Sequence, residues 1–259
     1  TVSVCQGSTP PGILFTGAAG TPPYTFTYKL NGGADQTITT TTGSSVSLPV
    51  STATAGVSTY TLVSVKDASS TTCQQVQAGT ATVTVNPLPS ATITGSASVC
   101  LNDASPLITL TGSGTTAPYT FTYNINGGTS QTVSTTSGNS VTVSVPTGTA
   151  GTYTYNLLNV QESSSTTCSQ PQTGSVTVTV NPRPLATISG TVSVCQGSTP
   201  PGITFTGAAG TPPYTFTYNV NGGPDQTITT TAGNSVSLPV PTSVTGVYQY
   251  NLVSVQDAS

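Results

Sequence analysis

The sequence predicts an all-β protein made of tandem immunoglobulin-like, two-sheet antiparallel β-sandwiches of about 95 residues per repeat. Three observations predict it. Cys5, Cys100 and Cys195 are spaced 95 residues apart, as are Cys73 and Cys168, and a fixed long period marks a repeat architecture. Apolar and polar residues alternate with period two in every copy, the signature of a half-buried strand. Ala, Leu, Glu and Lys are sparse, and no 3.6-residue period survives the prolines and β-branched residues.

The copies align without insertion. "SVCQGSTPPGILFTGAAGTPPYTFTY" at 3–28 returns as "SVCQGSTPPGITFTGAAGTPPYTFTY" at 193–218, and more loosely as "SVCLNDASPLITLTGSGTTAPYTFTY" at 98–123. The first strong strand places Tyr24, Phe26, Tyr28 and Leu30 on one face and Thr25, Thr27 and Lys29 on the other, with matching sets at 119–125 and 214–220. Asn31-Gly32, Asn126-Gly127 and Asn221-Gly222 follow directly. This dipeptide tolerates the positive φ angles of a tight hairpin turn. Gly43, Gly138 and Gly233 mark a second turn leading into Val46, Leu48 and Val50 or their equivalents. Near Tyr60 the alternation slips: Tyr153, Tyr155 and Leu157 share a face, but Leu158 and Val160 fall on the other. A β-bulge, or a strand crossing between sheets, explains such a slip. Roughly seven strands per copy with regular turn punctuation describe a sandwich of immunoglobulin type.

Boundaries fall at "VNPLPSATITG" (85–95) and "VNPRPLATISG" (180–190), where Pro-x-Pro holds a short joint extended and couples neighbours stiffly. The expected domains are 1–87, lacking its first strand; 90–182, complete; and 185–259, lacking its last strand. Strand addition from another chain is the alternative source of the missing edges. Within a copy the cysteines lie 68 residues apart, so the expected disulfides are Cys5 with Cys73 and Cys100 with Cys168. The partner of Cys195 then falls at position 263, beyond Ser259, and the chain reads as a window on a longer array. Buried free thiols are the alternative. Disulfides at fixed spacing in small repeated domains imply an oxidising, extracellular setting.

Charged residues make up 3% of the chain, so its polar surface must come from Thr, Ser, Asn and Gln. Three basic residues, Lys29, Lys66 and Arg183, against six acidic ones leave nothing to neutralise a phosphate backbone. Neither nucleic acid nor membrane insertion is expected, since no apolar run approaches the ~18 residues of a membrane helix.

Catalysis is not expected either, and no cofactor. Histidine is absent, and the acidic residues cannot form a paired-carboxylate or nucleophile–base site at equivalent positions of every copy. "GAAG" at 17–20 lacks the lysine and helix start of a phosphate loop and reads as a connector. Asp67, Glu162 and Asp257 are equivalent, but one carboxylate per copy falls far short of the six to eight oxygens calcium takes. They read as solvated carboxylates at strand ends, and no metal site is expected.

"VCQGSTPP", "GTPPYTFTYxxNGG" and "ATVTVNPLPSATITG" resemble the tandem PKD-like or immunoglobulin-like repeats of very large cell-surface proteins of Bacteroidota, and the "PYTFTY" core is similar to the repeat of SprB-type gliding adhesins. The resemblance covers nearly the whole chain. It implies PKD-like sandwiches, type IX export, display at the bacterial cell surface and an adhesive role, with no catalytic residue to transfer. The expected function is thus a structural and adhesive segment of a long extracellular protein, a stiff stalk or filament-forming array. Its partners are neighbouring repeats and, through self-association, other chains. A glycan-binding array is the rival, with the Tyr24–Tyr28 strand as its platform. If those rings point inward the platform is gone; if two line an exposed groove, glycan binding prevails.

Overall fold

The computed structural model describes all 259 residues, and its regular structure is all strand. The first copy holds β1 (Val2–Cys5), β2 (Gly12–Thr16), β3 (Thr25–Leu30), β4 (Asp35–Thr39), β5 (Ser45–Pro49), β6 (Gly56–Lys66) and β7 (Gln74–Asn86). The second holds β8 (Ser90–Thr94), β9 (Ala97–Cys100), β10 (Leu107–Ser113), β11 (Tyr119–Ile125), β12 (Gln131–Ser134), β13 (Ser140–Ser144), β14 (Gly151–Glu162), β15 (Ser169–Pro171) and β16 (Ser175–Asn181). The third holds β17 (Leu185–Ser189), β18 (Gly202–Ala208), β19 (Thr215–Val220), β20 (Gln226–Thr229), β21 (Ser235–Pro239) and β22 (Tyr250–Gln256).

The chain divides into two compact units: residues 1–94, 109–142 and 155–175, and residues 95–108, 143–154 and 176–259. In the first unit, a five-stranded sheet ordered β1-β7-β6-β3-β4 and the β2-β5 pair enclose one apolar core. Phe15 from β2 meets Phe26 and Tyr28 from β3, with ring centroids 5.5 and 5.3 Å away. In the second unit, β17-β18-β21 and β20-β19-β22 enclose the equivalent cluster of Phe205, Tyr214, Phe216 and Tyr218. Tilted ring pairs of this kind add specific geometry to a large burial of apolar area.

The alternation read from the sequence sets which way each strand faces. Tyr24, Phe26 and Tyr28 are 4%, 1% and 5% exposed, and their equivalents in the other copies are buried too. All of these rings point inward. Asn31 (φ 51°) and Gly32 (φ 71°) both take positive φ, as do the two equivalent pairs, which is the geometry of the predicted hairpin turn. The phase slip is a β-bulge: Tyr28 pairs with Leu62 while Thr27 pairs with Ser64, leaving Val63 extra, and Leu158 and Val253 are extra in the same way.

Among the antiparallel pairs of these sheets, two pairs run parallel. β1 runs parallel to β7 (Val2 opposite Val83, Cys5 opposite Asn86), and β9 runs parallel to β16 (Cys100 opposite Asn181). These sheets are mixed because the chain leaves β1, makes the whole sandwich, and returns on the same edge in the same sense.

A recurrent glycine underlies each core tyrosine. A Cβ on Gly17, Gly112 or Gly207 would lie 2.5 Å from Cγ of Tyr24, Tyr119 or Tyr214 respectively. Each ring lies flat on bare backbone. Its hydroxyl donates to a carbonyl in the following connector: Gly20 at 2.6 Å, Thr115 at 2.5 Å and Gly210 at 2.7 Å. The "GAAG" connector therefore anchors a buried tyrosine.

Candidate functional site: the cystine junction and an open groove

After β14 the chain turns through Ser163–Thr167, and the Glu162 carboxylate organises the turn. It accepts Ser164 N–H at 2.7 Å, the Ser164 hydroxyl at 2.5 Å and Cys168 N–H at 2.9 Å. Glu162 is 3% exposed, so it is not the solvated strand-end carboxylate expected from sequence. Asp67 plays this part in the first copy, accepting the Ser69 hydroxyl and Thr21 N–H, and Asp257 in the third, accepting Thr211 N–H and the Ser259 hydroxyl. Hydrogen bonds from Ser69 and Thr21 lower the Asp67 pKa. At Glu162, burial raises the pKa, but the hydrogen bonds from Ser164 and Cys168 prevail and leave it below its ordinary value.

The sign of the pH effect follows. A carboxyl more acidic when folded stabilises fully above its unfolded pKa, and that contribution is lost as pH falls through the lower folded value. E162Q is expected to cost about 1–3 kcal/mol at neutral pH, the range for stranding buried donors. The deficit should shrink at about pH 3. Urea unfolding of both proteins at the two pH values checks this, and an equal deficit at both would contradict it.

The organised turn delivers Cys168 to Cys5. Their disulfide has a Cα–Cα distance of 5.5 Å, and Cys73, Cys100 and Cys195 are free thiols. This corrects the expected pairs Cys5 with Cys73 and Cys100 with Cys168. The reason lies in the register around Cys5. Cys5 ends β1 beside Asn86 at the end of β7, and Gln6 N–H donates to the Asn86 carbonyl at 2.8 Å. The Asn86 amide in turn donates to Thr166 Oγ1 at 2.8 Å, two residues before Cys168. The first copy's cysteine thus meets the second copy's turn, while the first copy's own turn leaves Cys73 exposed.

A second feature is a groove in the third copy. Val192–Cys195 repeat the sequence of β1 but form no strand, and Val192 and Val194 are 56% and 48% exposed. With Ile188, Ile203, Tyr248 and Tyr250 they line a groove of about 630 Å³. β22 ends its sheet as an edge strand. In the first unit the corresponding valines, Val2 and Val4, run beside Val83 and Val85 of β7.

No family model and no curated protein sequence matches the chain. Solved structures do. One is a Ca2+-stabilized adhesin with which an Antarctic bacterium binds ice, at 18% identity over 93% of this chain and 63% of that one, TM-score 0.41. Another is invasin, a bacterial integrin-binding protein, at 18% identity over 91% and 53%, TM-score 0.35. A third is the BSP domain of a biofilm associated protein, at 14% identity over 99% and 66%, TM-score 0.29. The chain spans about 63% of the ice-binding adhesin structure and 53% of the invasin structure.

Proposed function

We propose that the chain is a structural and adhesive repeat segment of a long extracellular bacterial surface protein, acting as a stalk or filament-forming array of the SprB-like kind and carrying out no catalysis. The observation that carries this reading is the cystine from Cys5 to Cys168, because it fastens one copy to the next instead of closing each copy on itself. A link of that kind transmits tension between repeats without unfolding the 163 residues it spans. Disulfides persist in oxidising extracellular compartments, which suits display outside the cell. Sparse charge leaves side-by-side packing little Coulomb repulsion to overcome, in support of bundling. The rival glycan platform loses its basis, since the rings of Tyr24, Phe26 and Tyr28 are buried.

Single-molecule pulling joined with electron microscopy tests the proposal. At about 3.4 Å per extended residue, the separation of 163 positions between the linked cysteines amounts to ~550 Å of contour length. Oxidised protein should withhold that length and reduced protein should release it, while micrographs show elongated particles. Round particles, or identical extension in both redox states, would remove the stalk reading.

A further inference from the structure

We propose that the first cysteine of every copy is the disulfide partner of the second cysteine of the copy that follows it. Cys73 is then a docking point for the Cys5-type end of another copy of this repeat, and Cys100 is the partner of the cysteine completing the third copy's turn. The same rule pairs Cys195 with no cysteine of this chain.

Both halves of the observed junction recur unjoined. The Cys5 half is a strand-end cysteine opposite an asparagine, followed by an N–H that donates to that asparagine's carbonyl. Cys100 lies opposite Asn181 in the same parallel register, and Leu101 N–H donates to the Asn181 carbonyl at 2.8 Å. Asp103 fixes this end further: it accepts Cys100 N–H at 3.0 Å and Arg183 Nη2 at 2.6 Å, while Arg183 Nε donates to the Leu101 carbonyl. The Cys168 half recurs at Cys73. Asp67 N–H donates to the Cys73 carbonyl at 3.1 Å as Glu162 N–H does to Cys168 at 3.0 Å, and Thr72 and Thr167 share a positive φ of 45° and 49°. Thr71 Oγ1 lies 3.3 Å from Cys73 Sγ, and Thr166 Oγ1 lies 3.4 Å from Cys168 Sγ.

What differs is cover. Cys168 is 1% exposed beneath the Cys5 end, whereas Cys73, on a turn of the same shape, is exposed. The occupant that fits is the one seen on the equivalent turn, a Cys5-type strand end with its asparagine. Closure needs an oxidant, and a low-molecular-weight disulfide such as oxidised glutathione supplies it. One protein thiolate attacks the glutathione disulfide and expels a first glutathione thiolate, and the second protein thiolate displaces the other. One S–S bond forms, one breaks, and the two protons end on reduced glutathione.

The test compares the full chain with the same chain extended by Ser-Thr-Thr-Cys, both refolded in glutathione redox buffer and labelled with a maleimide for mass spectrometry. The unaltered chain should label at three thiols, matching Cys73, Cys100 and Cys195. One labelled thiol would mean same-copy pairing and overturn the proposal, as would five. The extended chain should label at two. C100S in the extended chain should lose the second disulfide, and C195S should keep it; the reverse pattern overturns the rule even if both variants are less stable. An intact Cys5–Cys168 bond with Cys100 left unpaired in the extended chain would sink this proposal and leave the stalk reading standing.

Discussion

C168S is expected to lower the unfolding free energy of the unit that carries it by about 5 kcal/mol, the chain-entropy value for a loop closed across 163 residues. Cys168 is buried, so the serine would also place a polar hydroxyl where a disulfide sulfur now packs. C5S should behave alike, and the double variant should cost no more than either single one, because both remove the same bond. C73S supplies the contrast. Its thiol is exposed and unlinked, and its effect should stay within about 0.5 kcal/mol, the range for surface changes. Chemical denaturation of the four variants and their parent under non-reducing conditions reads all of this. A C168S protein as stable as its parent would mean that the linkage does not form.

G112A is the second large effect. The added methyl would meet Cγ of Tyr119 at 2.5 Å and both Cδ atoms within 2.8 Å. The ring cannot yield: it is 1% exposed, its centroid lies 6.3 Å from that of Phe121, and its hydroxyl is held by the Thr115 carbonyl. Overpacking of this kind costs about 1–3 kcal/mol, and with a rigid neighbour the upper end is expected. Y119A removes the obstacle at its own cost of about 3–5 kcal/mol. In that background G112A should add almost nothing, so a double-mutant cycle isolates the contact. G32A is the control for backbone conformation alone, since its φ is +71° and no atom would crowd its Cβ.

What the sequence made legible is what local periodicity encodes. Inward aromatic strands, Asn-Gly turns and the bulge at Val63, Leu158 and Val253 all leave a trace within a few residues. The disulfide partners could not be read the same way. Every copy shifts both cysteine types by the same 95 residues, so pairing within a copy and pairing with the next copy produce identical spacings. Strand direction was hidden for a related reason: alternation fixes which side chains face the core but not whether neighbouring strands run parallel. Two further signals stand in the sequence. Gly17, Gly112 and Gly207 each precede a core tyrosine by seven residues, and a carboxylate stands two residues before a serine in "DASS", "ESSS" and "DAS". The first marks a close approach, the second a side-chain-capped turn.

The parallel partnership of β1 with β7 also sets an order of events during biogenesis. Val2 must wait for Val83, so the first copy is closed by its most distant segments, and Cys5 must wait longer still for Cys168 of the next copy. Loop-closure entropy makes such contacts late and slow. A polypeptide released residue by residue therefore keeps its leading copy unfinished until Asn86 has emerged, and its first covalent fastening unmade until the next copy is almost out.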